Sequence, residues 1–185
     1  MSIPVTQGSK KTITIRLTDQ DTGDPINFAD PSFEYELVCM KLADGTSLHK
    51  AYIPRTGTLS IGSPDVTGLD TTDLFEGCPV SGIGIPAGTK ILYTPESASP
   101  NAQPAGQVKL TQNATAAGAT ALVFGDITIL SPGQWGKFQF DIKKDESPNL
   151  PEGPVTVQTK TVIDGEPYYK IFENAIDVKT RECLE

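Results

Sequence analysis

The stretch from Gly57 to Phe124 constrains this chain most. It reads GTLSIGSPDVTGLDTTDLFEGCPVSGIGIPAGTKILY, then a patch of Pro, Ala and Ser, then QVKLTQNATAAGATALVF. Short apolar pairs alternate with Gly, Pro, Ser and Thr, and no window places apolar residues at helical spacing. A chain punctuated this often builds short strands joined by tight turns. The 17 glycines and 15 prolines are spread over all 185 residues, so the same grammar extends beyond the middle. Alternating apolar residues on both sides of the turns supply a core, which separates the chain from low-complexity disorder.

The flanks carry longer alternations. Ile13, Ile15 and Leu17 alternate with Thr12, Thr14 and Arg16, which predicts a strand over Lys11–Thr18 with one buried and one wet face. A turn cluster, Asp19 to Pro25, ends it. A second strand is expected over Ser32–Leu42, with Phe33, Tyr35, Leu37 and Cys39 on the buried face and Glu34 and Glu36 on the other. Asp44-Gly45 is a hairpin signal, and Leu48, Ala51, Tyr52 and Ile53 form the return strand, which Pro54 should interrupt. In the middle, strands are expected near Leu59–Ile61, Val66, Pro79–Val80, Lys90–Tyr93, Val108–Leu110 and Ala121–Phe124. Thr94–Gly106 carries three prolines and no large apolar residue, so it reads as a loop or mobile tip.

From Asp126 the grammar of the first part returns. Ile127, Ile129 and Leu130 precede Pro132-Gly133, and Phe138, Phe140 and Ile142 alternate with Lys137, Gln139 and Asp141. Trp135 should pack at the end of that strand. Val155, Val157, Thr159 and Thr161 alternate, Asp164-Gly165 is a second hairpin signal, and Tyr169, Ile171, Ile176 and Val178 lie beyond it. The simplest organisation is a discontinuous β-sandwich, 1–55 plus 126–185, with a small β domain, 56–125, inserted at a loop. Such insertion costs little because loop-closure entropy grows slowly with length.

Two resemblances bear on this organisation. The phrases SPDVTGL, VSGIGIPAGTKI and VKLTQNATAAGATAL resemble a small β module that recurs in phage tail, fibre and other virion proteins. KKTITIRLTDQDTGDPINF, FEYELVCMKLADGT and the late WGKFQFDI, LPEGPVTVQTKTVIDGEPYY and IDV are similar to the N-terminal domain of upper-baseplate-type phage proteins. Gly23 and Pro25 match that family's opening turn, and Gly153, Val155, Val157, Asp164 and Gly165 match its later arm. The resemblance implies an immunoglobulin-like β-sandwich carrying an inserted small β-barrel or β-sandwich. Cys78 departs from the module's usual larger apolar residue, and the loop TPESASPNAQPAG is longer than the module implies.

Charge narrows the partners. The formal net charge is −8, and Lys10-Lys11 and Lys143-Lys144 are isolated basic pairs, so nucleic acid and anionic membrane surfaces are not expected partners. The acidity favours solubility of a β-rich chain. The three cysteines, Cys39, Cys78 and Cys183, have no C-x-x-C spacing, which argues against a zinc site or a disulfide framework. Cys39 reads as a buried thiol. The N-terminus lacks the apolar run of a secretory signal, and no run of 18 apolar residues occurs, so synthesis in a reducing host cytoplasm is expected. Leu184-Glu185 reads as a vector-derived tail.

Candidate chemistry is sparse. His49 stands in a hairpin arm with no G-x-S-x-G elbow, so it reads as an exposed strand histidine; neither Cys39 nor Cys78 has an activating context for a Cys–His pair. Asp19-x-Asp21-x-Gly23-Asp24 has calcium-loop texture but joins strands and has Asp30 where the terminal Glu would stand. Gly82-Ile83-Gly84-Ile85-Pro86-Ala87-Gly88 reads as a tight turn, because no helix follows to hold a pyrophosphate. The pair Glu34/Glu36 reads as solvated, and the sequon Asn113-Ala114-Thr115 has meaning only in a secreted chain.

The two resemblances imply a phage virion structural protein, and the sparse chemistry adds the expectation of no enzyme activity, no metal and no cofactor. It would act as a baseplate, tail-fibre adaptor or capsid-decoration part through assembly with other virion proteins and with copies of itself. The alternative is a carbohydrate-binding or adhesin module for a host-surface glycan, with Tyr93, Trp135, Tyr168 and Tyr169 as candidate contacts.

Overall fold

The computed structural model describes residues 2–19, 22–130 and 133–179. Asp21, Pro132, Cys183 and Leu184-Glu185 lie outside them. The chain is all-β. Its strands are β1 (Ile3–Thr6), β2 (Lys11–Arg16), β3 (Phe33–Lys41), β4 (Ser47–Leu59), β5 (Asp65–Thr67), β6 (Val80–Gly82), β7 (Ile91–Tyr93), β8 (Gln107–Leu110), β9 (Gly118–Phe124), β10 (Thr128–Ile129), β11 (Lys137–Ile142), β12 (Gly153–Ile163) and β13 (Glu166–Lys179). They form two compact units, residues 1–51 with 127–185 and residues 52–126.

The first unit is sandwich-like. One sheet runs β1-β13-β12-β3 and on to the start of β4; the other runs β10-β11-β2. Alternation explains both. Ile13 and Ile15 of β2 and Phe138, Phe140 and Ile142 of β11 are buried, while Thr12 and Thr14 face solvent. On β12, Val155, Val157, Thr159 and Thr161 all point inward. Phe28 links the sheets, with its ring 5.1 Å from Phe33 of β3 and 6.0 Å from Phe138 of β11. Asp164 and Gly165 both take positive φ, 53° and 76°, the geometry that a two-residue hairpin between β12 and β13 requires.

A buried ion pair ties β4 to the segment after β11. Lys50, only 1% exposed, sets Nζ 2.8 Å from both Glu146 oxygens, and Glu146 also accepts from the Lys143 N–H. β1 pairs in parallel with the end of β13, Val5 opposite Val178.

Three expectations are corrected here. Glu36 is not wet: the inward face of β3 is Glu36, Val38 and Met40, each fully buried, because this even-numbered row sits opposite the inward row of β12. Leu37 and Cys39, on the odd-numbered face, are only half-buried, so Cys39 is not a core thiol. Pro54 does not interrupt β4. It pairs with Val123 of β9, and its neighbours Ile53 and Arg55 hold the register against Phe124 and Leu122, so one missing donor does not end the strand.

The second unit is a small closed sheet. Its strands run β7-β8-β5-β4-β9-β6. Val80 N–H bonds Thr89 O at 2.9 Å and Ile91 N–H bonds Cys78 O at 2.9 Å, so the segment entering β6 joins the segment entering β7 and the path returns on itself. Val66, Val108, Leu110, Leu122, Phe124 and Cys78 fill the interior. Gly57 stands where a Cβ would come within 2.6 Å of Val66 Cγ1, so its small size lets β4 cross the core closely. Thr94–Gly106 contains no strand, and Ser97, Asn101 and Gln103 bond back within it.

Candidate functional site

The long hairpin of β12 and β13 organises the surface of the first unit. Among the described residues, the only strand on the far side of β13 is β1, and its pairing covers only Ile176–Lys179. The stretch Glu166–Phe172 is therefore an open sheet edge. A strand edge offers unpaired backbone groups to any chain that can align with it.

Two surfaces meet at this edge. The outward face carries Tyr169 and Ile171, 64% and 60% exposed. The register sets Tyr169 in a row with Lys160 and Leu37, and Ile171 in a row with Gln158 and Cys39. Lys160 lays its Nζ 5.4 Å from the centre of the Tyr35 ring. Large apolar side chains thus occupy the solvent face of a sheet instead of its core.

The second surface is a cleft of about 250 Å3. Leu17, Thr18, Asp19 and Ile26 form one wall; Thr159, Thr161, Tyr168 and Lys170 contribute to the other. Lys170 crosses between them, with Nζ 3.1 Å from Thr18 Oγ1 and 3.4 Å from Thr18 O. Behind Thr161 lies Glu36: Thr161 Oγ1 donates to Glu36 Oε2 at 2.5 Å. Burial pushes the Glu36 carboxyl up to about 8, only partly offset by that hydrogen bond, so the group is protonated at neutral pH. Glu36 Oε1 and Thr159 Oγ1 are buried without a hydrogen-bond partner.

Two of the four aromatic candidates lie together. Tyr168 and Tyr169 both line the cleft. Trp135 ends a 3-10 turn just before β11 and is 55% exposed, with Lys137 Nζ 5.6 Å from its ring centre. Tyr93 ends β7 in the other unit. Sequence reading took Glu36 as solvated and missed Thr159 and Lys170. The signal was present: the inward alternation of β12 changes from Val155 and Val157 to two threonines, the second of which, Thr161, stands opposite Glu36.

The remaining candidates have structural roles. Part of the His49 ring is buried, which lowers its pKa. Cys78 is fully buried; burial, and secondarily the charge of Asp126, push its thiol up to about 12. Asp19 Oδ1 accepts the Thr22 N–H at 2.8 Å, an aspartate turn, and no group of three His, Cys, Asp or Glu able to hold a metal occurs among the described residues. Gly82, Gly84 and Gly88 all take positive φ in the tight turn expected of them. Glu34 of β3 accepts the N–H of Gly165, in the turn between β12 and β13, at 2.7 Å.

Comparison with family models, with curated proteins and with solved structures gives no match.

Proposed function

We propose that this chain is a structural part of a phage virion that works by protein–protein assembly and not by catalysis. It would be made in the host cytoplasm and built into a baseplate, tail-fibre adaptor or decoration layer. The resemblance of its phrases to phage virion modules supports this reading, and one structural observation carries it. Tyr169 and Ile171 stand exposed on the outward face of β13 beside a strand edge that β1 leaves open. Backbone groups along such an edge supply register, and the two apolar side chains supply buried area. The occupant we assign is a second copy of this chain, because virion parts repeat by symmetry and a like edge offers the same periodicity.

Size-exclusion chromatography with light scattering, over a range of concentrations, tests this. A discrete oligomer is the expected result. A strict monomer at every concentration contradicts self-assembly through this edge.

A further inference from the structure

We infer that the cleft beside β13 binds a neutral sugar unit, a role beyond assembly. Its volume of about 250 Å3 lies below the range of drug-sized pockets and suits one sugar ring. Tyr168, 49% exposed, is the aromatic residue at its rim, and three threonines, Thr18, Thr159 and Thr161, are among its lining residues. Aromatic platforms with a few placed hydroxyls match a ligand that is apolar on its ring faces and polar at its edges.

The decisive group is Thr159. Its Oγ1 has no partner although the residue is 2% exposed. A buried polar group left unpaired costs roughly 1–3 kcal/mol. Valine would fill the same shape without that cost, as Val155 and Val157 do earlier in the same inward row. A threonine here keeps one donor and two acceptor lone pairs uncommitted, the groups that a sugar hydroxyl uses. Thr161 is different: its proton is committed to Glu36, so only its lone pairs remain for the cleft.

Charge gives an anion no net advantage. Lys170 is the cleft's basic group, but its Nζ is bound to Thr18, and Asp19 places a carboxylate in the same lining. Glu36, behind the wall, is uncharged at neutral pH. The site is thus balanced for a ligand with hydroxyls and no net charge.

Saturation-transfer NMR on the full chain tests the assignment. The probes are the methyl glycosides of glucose, galactose, mannose and rhamnose, and N-acetylglucosamine, with N-acetylneuraminic acid and inorganic phosphate as anions. We expect saturable binding of at least one neutral sugar. Thr159→Val should weaken it about tenfold or more while keeping or raising the thermal midpoint, and Tyr168→Ala should weaken it likewise. Tyr93→Ala and Trp135→Ala should leave it unchanged, and the elution volume of Thr159→Val should match that of the parent. Binding of anions alone, no binding of any neutral sugar, undiminished binding by Thr159→Val, or loss in Tyr93→Ala or Trp135→Ala would each overturn the site.

Discussion

Thr161 Oγ1 donates a 2.5 Å hydrogen bond to Glu36 Oε2 between two paired strands, with both residues at most 2% exposed. This single bond does not offset the burial of the carboxyl, so the folded pKa rises to about 8 from an ordinary value of 4.5. The sign follows from proton counts. Between pH 4.5 and 8 the folded chain holds a proton that the unfolded chain has released, so stability falls as pH rises. The loss amounts to as much as about 5 kcal/mol and levels off above the folded pKa. Glu36→Gln should flatten this window and be the more stable protein at its alkaline end. Urea denaturation at the two ends of the window checks it; parallel pH profiles for both proteins would refute it.

The Lys50–Glu146 pair sets a second expectation. Removing the carboxylate with Glu146→Ala leaves a 1%-exposed ammonium without its main counter-charge, which costs about 3–5 kcal/mol. Lys50→Met removes the buried charge itself and should cost clearly less. Guanidinium denaturation of both variants decides; equal losses would show that packing, not charge, dominates at Lys50.

Gly136 should tolerate no side chain. It takes φ +61°, and a Cβ there would run into the backbone O of Leu17 and meet Ile26 N at 3.0 Å. Backbone cannot swing aside as a side-chain tip can, so Gly136→Ala should cost more than the 1–3 kcal/mol range (roughly) of ordinary overpacking. Gly45 has a similar φ of +85° but open space around it, so Gly45→Ala should cost only about 1 kcal/mol. Thermal unfolding of the pair should show the contrast, and equal shifts would contradict it.

Cys78 should resist alkylation in the folded protein. With its thiol pushed up to about 12 and no exposed surface, almost no thiolate forms at mildly alkaline pH. Iodoacetamide treatment followed by peptide mapping should find it unmodified until denaturant is added. Labelling of folded Cys78 at the rate of a free thiol would show that the second unit opens readily.

Much of the fold was legible because period-two alternation sorts side chains by face: Ile13 and Ile15, Phe138 and Phe140, and Val155 and Val157 are all buried as their spacing implied. The misreading of β3 came from a row with competing signals. Phe33, Tyr35 and Leu37 compete with Val38 and Met40, and the two glutamates Glu34 and Glu36 mark the second row as wet, yet Glu36 is buried because protonation and a threonine meet its burial. β1 was not legible, because four residues with one buried side chain, Val5, carry no periodicity; only the far end of β13 gives them a partner. The cleft was half legible. Tyr168 and Tyr169 were visible as aromatics, but Thr18 and Lys170 are 152 positions apart and meet only through the fold.

Sedimentation velocity of the parent chain beside a Tyr169→Asp/Ile171→Asp double variant reads assembly through β13 without disturbing the core. Both side chains already face solvent, so the change leaves the core intact while placing charge on the outward face of the open edge. The parent should sediment as a discrete oligomer and the variant as a monomer, with matching thermal midpoints. Identical sedimentation of the two at every concentration would contradict assembly through β13.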